Sequence, residues 1–151
     1  MNRFFVQLEY DGTKYHGFQK QPKTTKTIQH HLDKALAKVA NHKISTVCCG
    51  RTDAGVHALN QFIHFDTSSL RKIDSWIKGV NVNLPDDIVV KNFYKVDKNY
   101  HARFDATSRE YLYVIKNANI PPAIGFNNCL WIKQTLNIQK MNKAAQSVSY
   151  T

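Results

Sequence analysis

The sequence predicts an α+β domain in which helices cover one face of an antiparallel sheet, in the ferredoxin-like order β-α-β-β-α-β. Three observations indicate this class. Apolar and polar residues alternate from Phe4 to Tyr10, two later segments repeat apolar residues at helical spacing, and short β-branched runs follow both segments. The first strand ends at the turn residues Asp11 and Gly12.

The first helix and the hairpin after it follow from local patterns. Thr27 is placed to cap a helix whose apolar residues fall on one face: Ile28, Leu32, Ala35, Leu36 and Val39. Strands are predicted at residues 44–49 and 59–65, and they flank the glycine-containing loop 50–58.

The second half of the pattern begins at Ser69, which is expected to start a helix carrying Leu70, Ile73, Ile77 and Val80. A turn at residues 84–87 leads into the apolar fourth strand, residues 88–96. The order predicts a sheet with one face packed on helices and the other free for a ligand.

Further elements are expected after this unit. A fifth strand, residues 109–116, is predicted to be added to the sheet with Arg109, Tyr111 and Tyr113 on one face. A short strand at 130–132 and a helix marked by Ile138, Met141, Ala145 and Val148 follow. No repeat or long linker divides the chain, which predicts a single domain over residues 1–151.

The charge balance is basic. The chain has 21 Lys and Arg against 11 Asp and Glu, a formal net charge of +10. Such a surface favours a polyanionic partner, nucleic acid first, because neutralised phosphates release counterions. A basic surface kept only for solubility is the alternative.

Cysteine usage and hydropathy predict a cytoplasmic protein. Cys48 and Cys49 are neighbours in a predicted strand, so they point to opposite faces and cannot share one metal ion, and Cys129 is distant in sequence. The odd cysteine count and an N-terminus without a long apolar run argue against secretion. No stretch approaches transmembrane length.

The loop between the second and third strands is the candidate chemical centre. Gly50 and Gly55 let the backbone bend sharply around Asp53. Arg51 can keep that carboxylate ionised, or can bind a phosphate and help draw a base out of its stack. From spacing alone, a tight turn with a structural Arg–Asp pair is the simpler interpretation.

The nine residues from Gly50 to Ala58 (GRTDAGVHA) resemble the active-site signature of the TruA-type tRNA pseudouridine synthases at every position. Three further segments resemble the same family in the same order: residues 8–12 (LEYDG) with 15–19 (YHGFQ), residues 101–106 (HARFDA), and residues 109–113 (REYLY). The resemblance extends to about residue 145.

The resemblance implies cofactor-free isomerisation of uridine to pseudouridine in the anticodon stem-loop of tRNA. Asp53 matches the family's catalytic aspartate, and Tyr111 matches the tyrosine that packs on the target base. A carboxylate suits this chemistry, because cleavage of a glycosidic bond builds positive charge on the sugar that a carboxylate can stabilise or attack. The base has to be flipped into a pocket.

Several basic residues leave two interpretations open. Arg109 and Arg103 can bind phosphates or form a salt bridge to Asp105. The basic stretch of Lys14, Lys20, Lys23 and Lys26 can follow the tRNA backbone or be a solvated loop. The seven histidines lack ligand-like spacing, so no metal site is predicted, and His57 is expected to order the loop.

Family members have a second, similar half, which is absent from this chain, and residues 146–151 do not resemble the family's continuation. The expectation is therefore an N-terminal catalytic half whose uncovered sheet edge and apolar surfaces favour a homodimer. The alternative function is an RNA-binding module that keeps the cleft without turnover.

Overall fold

The computed structural model describes residues 1–147, which form two compact units, Met1–Arg109 and the residues from Glu110 onward. No helix in the described part of the chain is long and apolar enough to cross a membrane. The prediction of one domain over the whole chain stays a prediction.

The first unit has the predicted β-α-β-β-α-β order. Its elements are β1 (Asn2–Tyr10), α1 (Ile28–Ala40), β2 (Val47–Cys48), β3 (Ala58–Thr67), α2 (Ile73–Asn81) and β4 (Ile88–Val96). The strands form one antiparallel sheet in the order β2-β3-β1-β4. The predicted α+β class and antiparallel sheet are therefore confirmed.

Alternation in β1 explains how the sheet packs. Phe4, Val6, Leu8 and Tyr10 are buried, whereas the residues between them are half-buried. The buried set joins the core with α1 and α2, where Trp76 lies between aromatic rings of three strands: its ring centroid is 6.0 Å from that of Phe4, 5.6 Å from Phe65 and 5.7 Å from Phe93. Helices thus cover one face, as predicted.

The opposite face of the sheet is polar and aromatic. Gln7 donates to Asn60 Oδ1 at 2.8 Å and accepts from Asn92 Nδ2 at 2.8 Å, so one hydrogen-bond chain crosses three strands. Beside this chain, the rings of Phe62 and Tyr94 lie 6.4 Å apart.

The first helix begins as predicted. The Thr27 side chain accepts a hydrogen bond from the amide of His30, which satisfies one of the free donors at the helix start. The helix ends at Asn41, whose φ of 60° is left-handed, a conformation that asparagine tolerates better than most residues.

Strand β2 is shorter than the predicted 44–49. The Thr46 amide and hydroxyl both donate to Oδ1 of the buried Asp33, at 3.2 and 2.6 Å. The Thr46 carbonyl accepts from Gln29 Nε2 at 2.8 Å. Because these groups of Thr46 bond to α1, the ladder with β3 begins only at Val47.

The predicted start of the second helix at Ser69 is wrong. The Ser69 amide donates to the Thr67 hydroxyl at 3.0 Å, which forms a turn after β3. Leu70 is 87% exposed and the helix begins at Ile73, so Leu70 contributes nothing to its apolar face.

In the second unit, the predicted fifth strand is shortened and displaced. β5 (Ile115–Asn117) pairs in parallel with β6 (Leu130–Ile132), and the two form a separate sheet rather than extending the first one. Residues 110–114 join no strand ladder. A 3₁₀ turn (Phe126–Asn128) precedes β6, and α3 (Ile138–Gln146) follows with Asn137 as its cap. The predicted helix residue Val148 lies outside the described residues.

Candidate active site

Residues 49–57 form a hairpin loop that presents Asp53 to solvent. The ladder closes where the Cys49 amide donates to Phe62 O at 2.8 Å, and β3 resumes at Ala58. Within the loop, the Val56 amide donates to Asp53 O at 3.2 Å, and Gly55 has a φ of +78°. This turn holds the exposed Asp53 at the tip.

The limb of the loop before Asp53 is fixed by strand side chains. The Tyr10 hydroxyl lies 2.7 Å from the Thr52 hydroxyl, and Gln61 Nε2 donates to Gly50 O at 2.7 Å. Tyr10 and Gln61 are themselves buried in β1 and β3. The residue directly before Asp53 is therefore bonded to the core of the sheet.

The segment between β1 and α1 lies directly against the loop. Phe18 donates from its amide to Thr52 O at 3.0 Å, and the Gly55 amide donates to Tyr15 O at 3.2 Å. A Cβ added at Gly12 would lie 2.0 Å from the backbone oxygen of Val56, a distance that real atoms do not reach. Only glycine permits this approach.

His57 links the other limb of the loop to the same segment. Its Nδ1 lies 3.1 Å from the Gly12 amide and 3.0 Å from Asp11 Oδ1. A neutral ring with a bare Nδ1 accepts from Gly12, whereas a charged ring donates to Asp11, so the link persists in either form. The pKa of the Asp11 carboxyl is lowered, chiefly because the Thr13 hydroxyl and amide donate to it.

Asp53 lines a groove of about 770 Å³, together with residues 51, 52 and 54 of the loop, His16 and residues 19–21. Within residues 1–147, no ion pair joins Arg51 to Asp53. Of the two interpretations of Arg51, pairing with Asp53 is therefore not formed in this structure. Arg51 is exposed and lines the same groove, where a guanidinium can bind an anionic group.

A family model described as tRNA pseudouridine synthase matches residues 7–105, which contain the whole of this loop and both strands beside it. The chain belongs to this family.

Individual family members are similar over nearly the whole chain. The tRNA pseudouridine synthase A of Alcanivorax borkumensis is 45% identical over 145 residues, covering 96% of this chain and 54% of the relative. That of an Enterobacter strain is 44% identical, covering 98% and 54%, and that of Shewanella woodyi is 47% identical, covering 95% and 55%. The chain spans about half the length of these relatives.

Arg109, predicted to bind substrate, lies at the base of the loop. Its Nη2 donates to Cys49 O at 2.9 Å and to Arg103 O at 3.2 Å. Its Nε would lie 3.3 Å from a Cβ added at Gly50. The salt bridge from Arg109 or Arg103 to Asp105 is not formed in the described residues. Arg109 instead bonds to the chain where the loop begins.

Tyr111, predicted to pack on the base, belongs to the second unit, just before β5. It is 79% exposed, and its neighbour Tyr113 is 75% exposed. Neither side chain is held in a strand, so strand packing does not account for either of them.

Two supports of the loop lie outside the loop motif, in β3 and β1. Gln61 is a polar residue inside the predicted strand 59–65, and Tyr10 is the last residue on the buried face of β1. A buried polar side chain needs a partner, so both residues pointed to a hydrogen-bonded neighbour. No group of three or more potential metal ligands is arranged for an ion within residues 1–147.

Proposed function

We propose that this chain is the catalytic half of a tRNA pseudouridine synthase that converts uridine to pseudouridine in the anticodon stem-loop of tRNA. One observation carries the proposal: Asp53 stands at the exposed tip of a loop whose two limbs are both hydrogen-bonded to the sheet or to the segment after β1. A carboxylate on a flexible turn would lack this fixed position, which chemistry on a bound nucleotide needs.

The reaction breaks the N1–C1′ bond of uridine and forms a C5–C1′ bond. The proton at C5 is lost to solvent, and N1 gains a proton, so no redox partner is needed. Asp53 is the group proposed to stabilise the positive charge on the sugar or to attack it covalently. The reaction takes no cofactor in this proposal.

Arg51, Arg109 and Tyr111 are given supporting roles. Arg51 lines the groove of Asp53 and is proposed to hold a phosphate of the flipped nucleotide. Arg109 is proposed to contribute to substrate binding, in part by fixing the carbonyl of Cys49 at the loop base. Tyr111, exposed in the second unit, is proposed to stack on the base.

The proposed partner is tRNA, and the proposed setting is the cytoplasm. A homodimer is also proposed, because β4 is a nine-residue edge strand and the apolar side chains of Leu70 and Val82 are 87% and 84% exposed. Sedimentation equilibrium at micromolar concentration tests it, and a monomer throughout that range would reject it.

An RNA-binding module without turnover is the second candidate function. It is favoured by the fact that the chain covers only 54–55% of the relatives described above. The two candidates share the groove and differ in whether a bond is broken.

Release of tritium from tRNA labelled at C5 of uridine separates the candidates, because only formation of the new carbon bond expels that atom. We expect salt-sensitive tRNA binding by the 151-residue chain, with little or no release. Release should rise when the part of a relative that this chain does not match is supplied. If neither preparation releases tritium while tRNA still binds, the RNA-binding module is the better description.

A further inference from the structure

A second groove, of about 480 Å³, adjoins the groove of Asp53. It is lined by residues 20–26 and by His30, and Lys20 and Gln21 line both grooves. Its lining includes three lysines and no carboxylate. The second groove is thus a positively charged continuation of the first.

The backbone that carries these lysines is held by hydrogen bonds. Gln21 pairs with Thr24 in an isolated bridge, and Gln21 Nε2 donates to His16 O at 2.7 Å. The Lys26 amide donates to the Thr24 hydroxyl at 3.0 Å, and Lys26 O accepts from the His16 amide at 2.8 Å. The lysines therefore extend from a defined turn.

Lys20 has a fixed place at the junction of the grooves. Its Nζ lies 2.5 Å from Oδ2 of Asp33, whose side chain is only 4% exposed. Lys23 and Lys26 are exposed and form no ion pair within the described residues. Lys14, in contrast, lies 3.5 Å from Asp87 and lines neither groove.

We propose that the second groove binds the phosphodiester backbone of an RNA strand whose reacting nucleotide occupies the groove of Asp53. This rests on the proposed function. Lys23 and Lys26 have no ion-pair partner within the described residues, and they line the groove beside Lys20, which is paired with Asp33. Such a row of ammonium groups suits a chain of phosphates, and neutralising the phosphates releases their counterions.

Apart from His30, the groove lining lacks aromatic rings. Its contacts are therefore to phosphates rather than to stacked bases, and they tolerate any sequence.

The test compares two double variants of the 151-residue chain that lose the same charge. Lys23→Gln with Lys26→Gln alters the groove, and Lys72→Gln with Lys78→Gln alters exposed lysines at α2 that line neither groove. Fluorescence anisotropy measures the affinity for a labelled RNA stem-loop across a range of KCl concentrations. Urea unfolding midpoints equal to that of the unaltered chain show that both variants are folded.

Each phosphate contact contributes about 0.7 to the slope of log affinity against log salt for single strands. We expect the groove variant to lose roughly ten- to thirty-fold in affinity at about 0.1 M salt, with the slope reduced by about 1.4. The α2 variant should bind like the unaltered chain, and changing the loop sequence of the RNA should not alter the ratio between the variants.

Equal losses in both variants, an unchanged slope, or no RNA binding by the unaltered chain would each overturn the proposal. The result is independent of turnover. If only the groove variant loses RNA affinity and no preparation releases tritium, the RNA-binding role of the second groove stands and the proposed enzymatic activity is rejected. If tritium is released and the groove variant binds RNA as tightly as the unaltered chain, the proposed enzymatic activity stands and the RNA-binding role of the second groove is rejected.

Discussion

The hydroxyl of Tyr10, at the buried end of β1, lies 2.7 Å from the hydroxyl of Thr52, the residue before Asp53. Burial raises the pKa of the Tyr10 phenol, so this group is a neutral hydrogen-bonding partner at physiological pH. The contact therefore holds Thr52, and with it the start of Asp53, in a fixed position relative to the sheet.

Replacing Thr52 by Val should destabilise the loop. The change removes the hydroxyl while keeping the shape, and it costs about 1 kcal/mol in the free energy of unfolding because Tyr10 loses a partner. Thr52→Ser keeps the hydroxyl and should remain close to the original stability. Urea denaturation measures both.

A double-mutant cycle with Tyr10→Phe tests whether this loss belongs to the Tyr10–Thr52 pair. If the two residues interact, the combined variant should be more stable than the sum of the single changes predicts, by at least about 0.5 kcal/mol. Additive effects would show that the two hydroxyls do not interact.

Asp53→Asn should abolish turnover and leave tRNA affinity within a few-fold, because the carboxylate serves the chemical step whereas phosphate contacts provide most of the binding. Tritium release and anisotropy give the two values in any preparation that turns over. Asp86→Asn, a change of an exposed carboxylate in the turn before β4, is the matched control. Residual turnover above about one per cent would remove Asp53 from the catalytic role.

Tyr111→Phe should keep the stacking surface but lower the rate, whereas Tyr111→Ala should also weaken binding of an unpaired uridine. Stacking of a base on an aromatic ring is typically about 1–3 kcal/mol. The same two changes at Tyr113, which is 75% exposed, provide the comparison. Identical behaviour of the Phe and Ala forms at position 111 would assign Tyr111 no contact with the base.

The free energy of unfolding should decrease below neutral pH because protonation of His64 favours the unfolded chain. Its side chain is buried and its Nδ1 accepts from the Ala102 amide at 3.1 Å. Burial, then the charge of Arg3 and the neighbouring His101, lowers its pKa from 6.5 to about 4. Between these values the unfolded chain takes up a proton that the folded chain excludes. The free energy of unfolding should therefore decrease by about 2 kcal/mol on acidification from pH 7.5 to pH 5.

His64→Gln isolates this contribution, since an amide oxygen can still accept from Ala102 but does not titrate. The difference between urea denaturation at pH 7.5 and at pH 5 should shrink by most of that amount. His16→Gln, at an exposed position, should leave the difference unchanged. An unchanged difference in the His64 variant would show that other groups cause the acid sensitivity.

Periodicity predicted the elements of the first unit well because each buries one face. It failed where a side chain binds a backbone amide that the predicted element would have used. The Thr46 amide donates to Asp33 instead of lengthening β2. The Ser69 amide donates to the Thr67 hydroxyl in a turn, so α2 begins later than predicted. Alternation around Tyr111 suggested a strand, but a strand needs a neighbour, and the sequence does not state which segments pair.

For the candidate site, the loop motif predicts roles for Asp53 and Arg51, and these roles stay predictions. It did not show that Arg51 leaves Asp53 unpaired, nor that Arg109 bonds to Cys49 O. Both depend on how the folded chain places the side chains, which a local motif does not specify. Glycine spacing alone could not indicate that Gly12 is needed because the Val56 oxygen lies against it.

The supports of the Asp53 loop are far away along the chain. Tyr10 and Thr52 are separated by 42 positions, and Gly12 and His57 by 45. Ordering the loop must therefore close a long stretch of chain, which costs entropy before any contact is gained. We expect the loop to acquire its shape late in folding, after β1 and β3 have paired. Substitutions there should then mainly accelerate unfolding and leave the folding rate nearly unchanged.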